Sequence, residues 1–220
     1  MAKRTMAWSY SRLTTYERCP AQLAYRTAKT PEIPSPAMER GNRIHKDAEE
    51  YLRGIHKQVP ATLQGFAPEF RELRKLKARA EDQIAVDEDW RRVEWFSPQA
   101  WLRIVIDARH SIEDGQKLID FKTGNTYPDH LDQLELYALT FFKLEEKLRT
   151  VEGELWYLDK QNIIHDVFDA EQVESFEKKW QTRAAPLLTA KEFPATPGRH
   201  CNYCGFASLR GGPCPKDQER

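Results

Sequence analysis

A chain of 220 residues has room for one large domain, or one domain with a small appendage, and 40% hydrophobic residues are enough for a real core. Its 34 basic and 34 acidic side chains cancel, which excludes a polycation that binds nucleic acid through bulk charge and leaves local clusters to decide. No apolar run approaches the ~20 residues that cross a bilayer, and the opening MAKRTMAWSY lacks the apolar stretch of a secretory signal. A cytoplasmic chain with no membrane partner is expected.

In chain order, WSYSRLTTYERCPAQLAYR (8–26) predicts a helical segment, capped by Ser9 or Ser11 and interrupted at Pro20. The proline-rich TPEIPSPAM (30–38) is a linker. A second helix is expected over 37–53, ending near Gly54, and a third over 66–82. The third contains the basic run RELRKLKARA (71–80), which is either a solvated helix face or a face that tracks phosphates.

The texture changes from 83 to 122, where β-branched and aromatic runs predict three consecutive strands, with a hairpin turn at EDGQ (113–116). HLDQLELYALTFFKLEEKL (130–148) has helical spacing, 151–168 reads as one or two strands, and 169–188 as a last helix broken near Pro186. Helices, three strands, a helix, one or two strands and a helix make an α/β or α+β chain with one mixed sheet.

The four cysteines are Cys19, Cys201, Cys204 and Cys214. In a reducing compartment, one upstream thiol and three downstream ones point to a metal or cluster site rather than to disulfides. The alternative is a CxxC pair with two unrelated thiols.

Asp107 and Asp120 close the apolar runs LRIVID and KLID on either side of the turn, so a hairpin sets them roughly opposite each other. Facing carboxylates are costly without a cation between them, and hard oxygen ligands favour Mg²⁺ or Mn²⁺. Lys122, two residues after Asp120, shares its strand face and can stabilise charge as phosphorus is attacked. A bare Asp-x-Lys is equally a surface ion pair. His45 is a further ligand or a helix-surface histidine, and Gln133 with Tyr137, at i and i+4, offers two neutral donors on one helix face.

The succession G-x-x-x-H (Gly41 to His45), I-D (Ile106-Asp107), I-D-F-K-T-G (Ile119 to Gly124) and Q-x-x-x-Y (Gln133 to Tyr137) resembles the RecB-like branch of the PD-(D/E)XK nuclease superfamily. With YSRLTTYERCP near the start and CNYCGF…PCP near the end, it is similar to the iron–sulfur members of that branch. These include the AddB nuclease domain and the small CRISPR-associated exonucleases. The likeness spans about residues 9 to 215.

The resemblance implies an α/β fold with a restriction-endonuclease-like core, a mixed central sheet flanked by helices. It implies His45, Asp107 and Asp120 as metal ligands together with the carbonyl of Phe121, Lys122 as the catalytic lysine, and Gln133 and Tyr137 as its supporting pair. It also implies that Cys19, Cys201, Cys204 and Cys214 hold a [4Fe–4S] cluster joining the N-terminal helix to the C-terminal tail, with structural Zn²⁺ as the alternative. The last cysteine gap is longer than the family's commonest spacing, and the core acid is Asp where many relatives carry Glu.

One nuclease domain over 1–220 is therefore expected, with a core at about 37–190 and a cysteine-bearing cap from 8–29 and 191–215. The expected function is a Mg/Mn-dependent DNA exonuclease in phage-type or cellular DNA processing, recombination or repair, acting on free ends or single strands. No GxxxxGK[ST] is present, so any helicase is a separate partner, as a recombinase or integrase would be. The alternatives are a CRISPR-adaptation trimming nuclease and a non-catalytic DNA-binding scaffold.

Overall fold

The computed structural model describes residues 7–127 and 129–215, so the first six residues of the opening segment read for a secretory signal lie outside it. Two short helices come first, α1 (Tyr10–Arg18) and α2 (Pro20–Thr27). Ser9 caps α1 by accepting from the Arg12 amide at 3.3 Å, and Pro20 occupies the first position of α2, where its missing N–H costs nothing. Then come α3 (Pro36–Leu52), a 3-10 turn (Ala61–Phe66) and α4 (Ala67–Lys75).

The expected third helix ends early. Lys77 takes a left-handed conformation (φ 53°), and the chain enters β1 (Arg79–Val86). The basic run is thus divided between the end of a helix and the start of a strand. After β1 follow β2 (Arg92–Val93), β3 (Leu102–Ile112), β4 (Gly115–Lys122), α5 (His130–Leu144), β5 (Thr150–Tyr157), β6 (Asn162–Asp169) and α6 (Val173–Thr189). Pro186 lies inside α6 without ending it, since Leu187 just beyond is anchored in the core.

The six strands form one mixed sheet in the order β2-β1-β3-β4-β5-β6. Only β4 and β5 are parallel, and α5 makes the crossover between them. One core cluster gathers Ile104, Leu118, Leu134, Phe141, Leu155 and Trp180, from the sheet, α5 and α6. A second gathers Ile44, Tyr51, Phe70, Ile119, Phe121 and Trp156, from α3, α4 and the sheet. Helices thus cover both sides, the layering expected of a restriction-endonuclease-like core. No helix among the described residues is long and apolar enough to cross a membrane.

The chain ends meet differently from the expectation. The four cysteines are free thiols lining one small cavity with Tyr25 and His200, between α2 and the C-terminal segment. No three of their sulfurs come within 4.8 Å of one another. Among the described residues, the group of His, Cys, Asp or Glu donors that does converge at that distance contains no cysteine. The expected four-cysteine metal centre, iron–sulfur or zinc, is therefore corrected to four free thiols. What joins the ends is main chain and aromatic packing. The Ala21 amide donates to Pro194 O at 3.2 Å, Thr196 Oγ1 to Arg18 O at 2.8 Å and the Ile33 amide to Gly205 O at 3.1 Å, while Tyr25 stacks on Phe206 with centroids 5.2 Å apart.

Candidate active site

The site begins with helix α3. Ser35 caps it, accepting from the Met38 amide at 3.1 Å, and Ile44, Ala48 and Tyr51 bury one stripe. Gly41 lets this helix approach the end of β4, because a Cβ there would stand 3.2 Å from Thr123 Oγ1. One turn further on, the close approach brings His45 Nδ1 to 3.3 Å from Asp107 Oδ1.

Strands β3 and β4 pair from Ile112–Gly115 to Ala108–Ile119. The next step of the register would set Asp107 against Asp120, but the ladder stops short of it. The Phe121 amide donates instead to Asp107 Oδ2 at 2.6 Å. Phe121, whose carbonyl is an expected metal donor, also reaches the site through its N–H.

Asp120 is 3% exposed, and its Oδ2 lies 2.6 Å from the Lys122 ammonium. Lys122 also donates to Gln133 Oε1 at 2.7 Å, Gln133 Nε2 donates to the Tyr137 hydroxyl at 2.6 Å, and that hydroxyl donates to Val105 O at 2.8 Å. Helix α5 therefore orients the lysine through a relay that ends on the β3 backbone.

Glu81 is a site residue that the sequence reading missed. It lies between the pairs Ala80–Ala108 and Asp82–Ile106, hence across from Asp107, in a left-handed conformation (φ 50°). Ligand atoms of His45, Glu81 and Asp107 all fall within 4.8 Å of one another. Asp120 is not a member of that set.

The electrostatics fit a hard divalent cation. Burial raises the Glu81 carboxyl to about 7, with Asp107 and Glu49 adding to the effect. Burial also raises Asp120, and the charge of Asp107 adds to this against the pull of Lys122. Burial alone would lower His45, but its hydrogen bond to Asp107 and the surrounding carboxylates carry it up to about 9. Two acids, Glu81 and Asp120, that hold protons more tightly than usual beside Asp107 and one imidazole make a donor set lacking positive charge. One nitrogen and several oxygen donors suit Mn²⁺ or Mg²⁺.

A search of curated proteins finds no match. A solved structure described as the crystal structure of SSO0001 aligns with 98% of this chain and 88% of its own, at 15% identity and a TM-score of 0.47. The family model of the PD-(D/E)XK nuclease superfamily matches residues 7–209, nearly the whole chain and every residue of the site. The chain belongs to the PD-(D/E)XK nuclease superfamily.

Proposed function

We propose that this nuclease is a Mg²⁺- or Mn²⁺-dependent DNA exonuclease of the RecB-like branch, working in DNA processing, recombination or repair. The observation that carries the reading is the convergence of His45, Glu81 and Asp107 within 4.8 Å, beside Asp120 and a lysine held by Gln133. His45, Glu81 and Asp107 would hold the cation, with Asp120 and the Phe121 carbonyl as further oxygen donors. A divalent ion supplies charge neutralisation at the scissile phosphate and a water of lowered pKa.

The chain's own residues do the rest. Asp107 is fixed through Oδ2 by the Phe121 amide, so its Oδ1, 3.3 Å from His45 Nδ1, is aimed before substrate arrives. Lys122 keeps its ammonium between Asp120 and Gln133, where it can stabilise the negative charge that grows on phosphorus-bound oxygen. Tyr137, pushed well above its ordinary pKa by burial, stays protonated, donates to Val105 O and accepts from Gln133, which it thereby positions. The exonuclease assignment and the separate helicase, recombinase or integrase partner rest on the sequence resemblance.

The test is cleavage of end-labelled single-stranded, linear duplex and circular DNA with Mg²⁺ or Mn²⁺, beside Asp120→Ala. Cleavage by the parent that vanishes in the variant supports the nuclease, and spared circles support exonuclease action. Equal cleavage by both proteins would remove the site assignment.

A further inference from the structure

Next to the Gln133–Tyr137 relay lies a cavity of about 430 Å³, walled by the first turn of α1, by β3 and by Trp95. Two arginines line it, Arg12 and Arg103. Among the described residues Arg103 has no carboxylate partner, and its Nε is buried without a hydrogen-bond acceptor. The Arg103 guanidinium lies over the Trp95 ring at 5.5 Å and reaches the Phe96 ring at 6.0 Å. Phe96 is 85% exposed. Burial first, and then the positive charge of Arg103, lower the pKa of Arg12, so the two cations sit close enough to repel.

Arg12 is already held by Thr27 Oγ1 at 3.2 Å, so the charge left for an anion beside these two cations to balance is that of Arg103. A flat aromatic surface left in water beside them is the complement of a planar ring. A phosphate with a base attached answers both. In a duplex each base is already stacked on its neighbours and cannot lie on Phe96, whereas a single strand presents free ring faces. Arg103 stands four residues from Asp107 on β3, ~13 Å of strand, so the cavity lies a few nucleotides from the reacting phosphate.

We propose that this cavity and the ring beside it form a subsite for single-stranded DNA running to the active site, with Arg103, beside Arg12, binding a backbone phosphate and the exposed Phe96 ring stacking a base. The proposal rests on the nuclease reading and deepens it. It also supplies a local source of affinity in a chain with no net charge.

The test measures anisotropy of a fluorescein-labelled oligothymidylate and of a matched duplex with the full chain in Ca²⁺, strand integrity being checked on a gel. The comparison is between the parent, Phe96→Ala and Arg103→Gln. Phe96 is exposed, so its removal leaves folding untouched. Expected is single-strand binding weakened roughly 5- to 150-fold by Phe96→Ala, with duplex binding unchanged. Arg103→Gln should lower the slope of log affinity against log salt by about 0.7. Variants that bind the single strand as tightly as the parent, or a Phe96→Ala that weakens duplex and single strand alike, would overturn the subsite. Cleavage decides the underlying reading separately. A parent that cuts DNA while its variants bind normally loses only the subsite. Variants that lose single-strand binding in a parent that cuts nothing keep the subsite and remove the nuclease.

Discussion

The backbone amide of Phe121 donates to the carboxylate of Asp107 at 2.6 Å, at the step where β3 and β4 cease to pair. A side chain thus takes the place of a strand carbonyl. The gap that opens is where α3 delivers His45 from one side and α5 delivers Gln133 from the other. Asp107→Asn keeps an acceptor for this amide but removes the charge. We expect it to fold normally and lose ~10³-fold or more in cleavage. Initial rates beside a thermal melt check this.

Lys122→Ala should leave metal binding intact, because the lysine is a neighbour of the donor set and not a ligand. Its loss should lower kcat by ~10²–10³-fold, the range for removal of one preorganised charge-stabilising group. Calorimetric titration with Mn²⁺ alongside single-turnover rates separates the two effects. Lost metal binding would contradict the assignment.

Glu81→Gln should weaken Mn²⁺ binding by ~10–100-fold. Titration of the parent and the variant, with no DNA present, gives the comparison. Equal affinity would mean that Glu81 only borders the site.

His130 offers a pH signature outside the proposed ligands. Burial, and then the charge of Lys122, lower its pKa from 6.5 to about 4, while its Nδ1 lies 2.8 Å from the Tyr157 hydroxyl. Between those values the folded chain binds fewer protons than the unfolded one, so stability present above pH 6.5 is lost as pH falls towards 4. Glu81, raised to about 7, contributes the opposite slope in part of this range, since its proton is held more tightly in the folded state. The difference between the parent and His130→Gln isolates the histidine. We expect the parent's Tm advantage to shrink steadily from pH 6.5 to pH 4, and a constant difference would refute it.

Gly205→Ala tests how the chain ends are held. A Cβ there would stand 2.4 Å from the Ile33 carbonyl oxygen and 2.6 Å from Glu32 Cγ, so the tail must move. A loss of ~1–3 kcal/mol and faster proteolysis over 191–215 are expected, measured by melting and limited digestion.

The near-opposition of Asp107 and Asp120 was legible because a two-residue turn after Ile112 fixes the hairpin register and residue counting does the rest. Lys122, Gln133 and Tyr137 followed from strand and helix periods. Glu81 was not legible. The charged run before it continues a helical pattern, and the change to strand depends on left-handed turns at Lys77 and Glu81 that nothing in their residue types announces. The cysteines misled for a related reason. Their spacing showed that the ends of the chain meet, and they do line one cavity, but spacing does not set how far apart the sulfurs stand.

The relay from Asp120 through Lys122 and Gln133 to Tyr137 is built from one unbroken stretch of sequence, a strand and the helix that follows it, whereas the His45–Asp107 contact closes a loop of 62 residues. Short loops close cheaply and early, long ones late. In refolding, the strand-and-helix half of the site should therefore assemble first, with ordinary secondary-structure signals. The ability to capture a cation should arrive afterwards, as a separate and slower event set by the docking of α3.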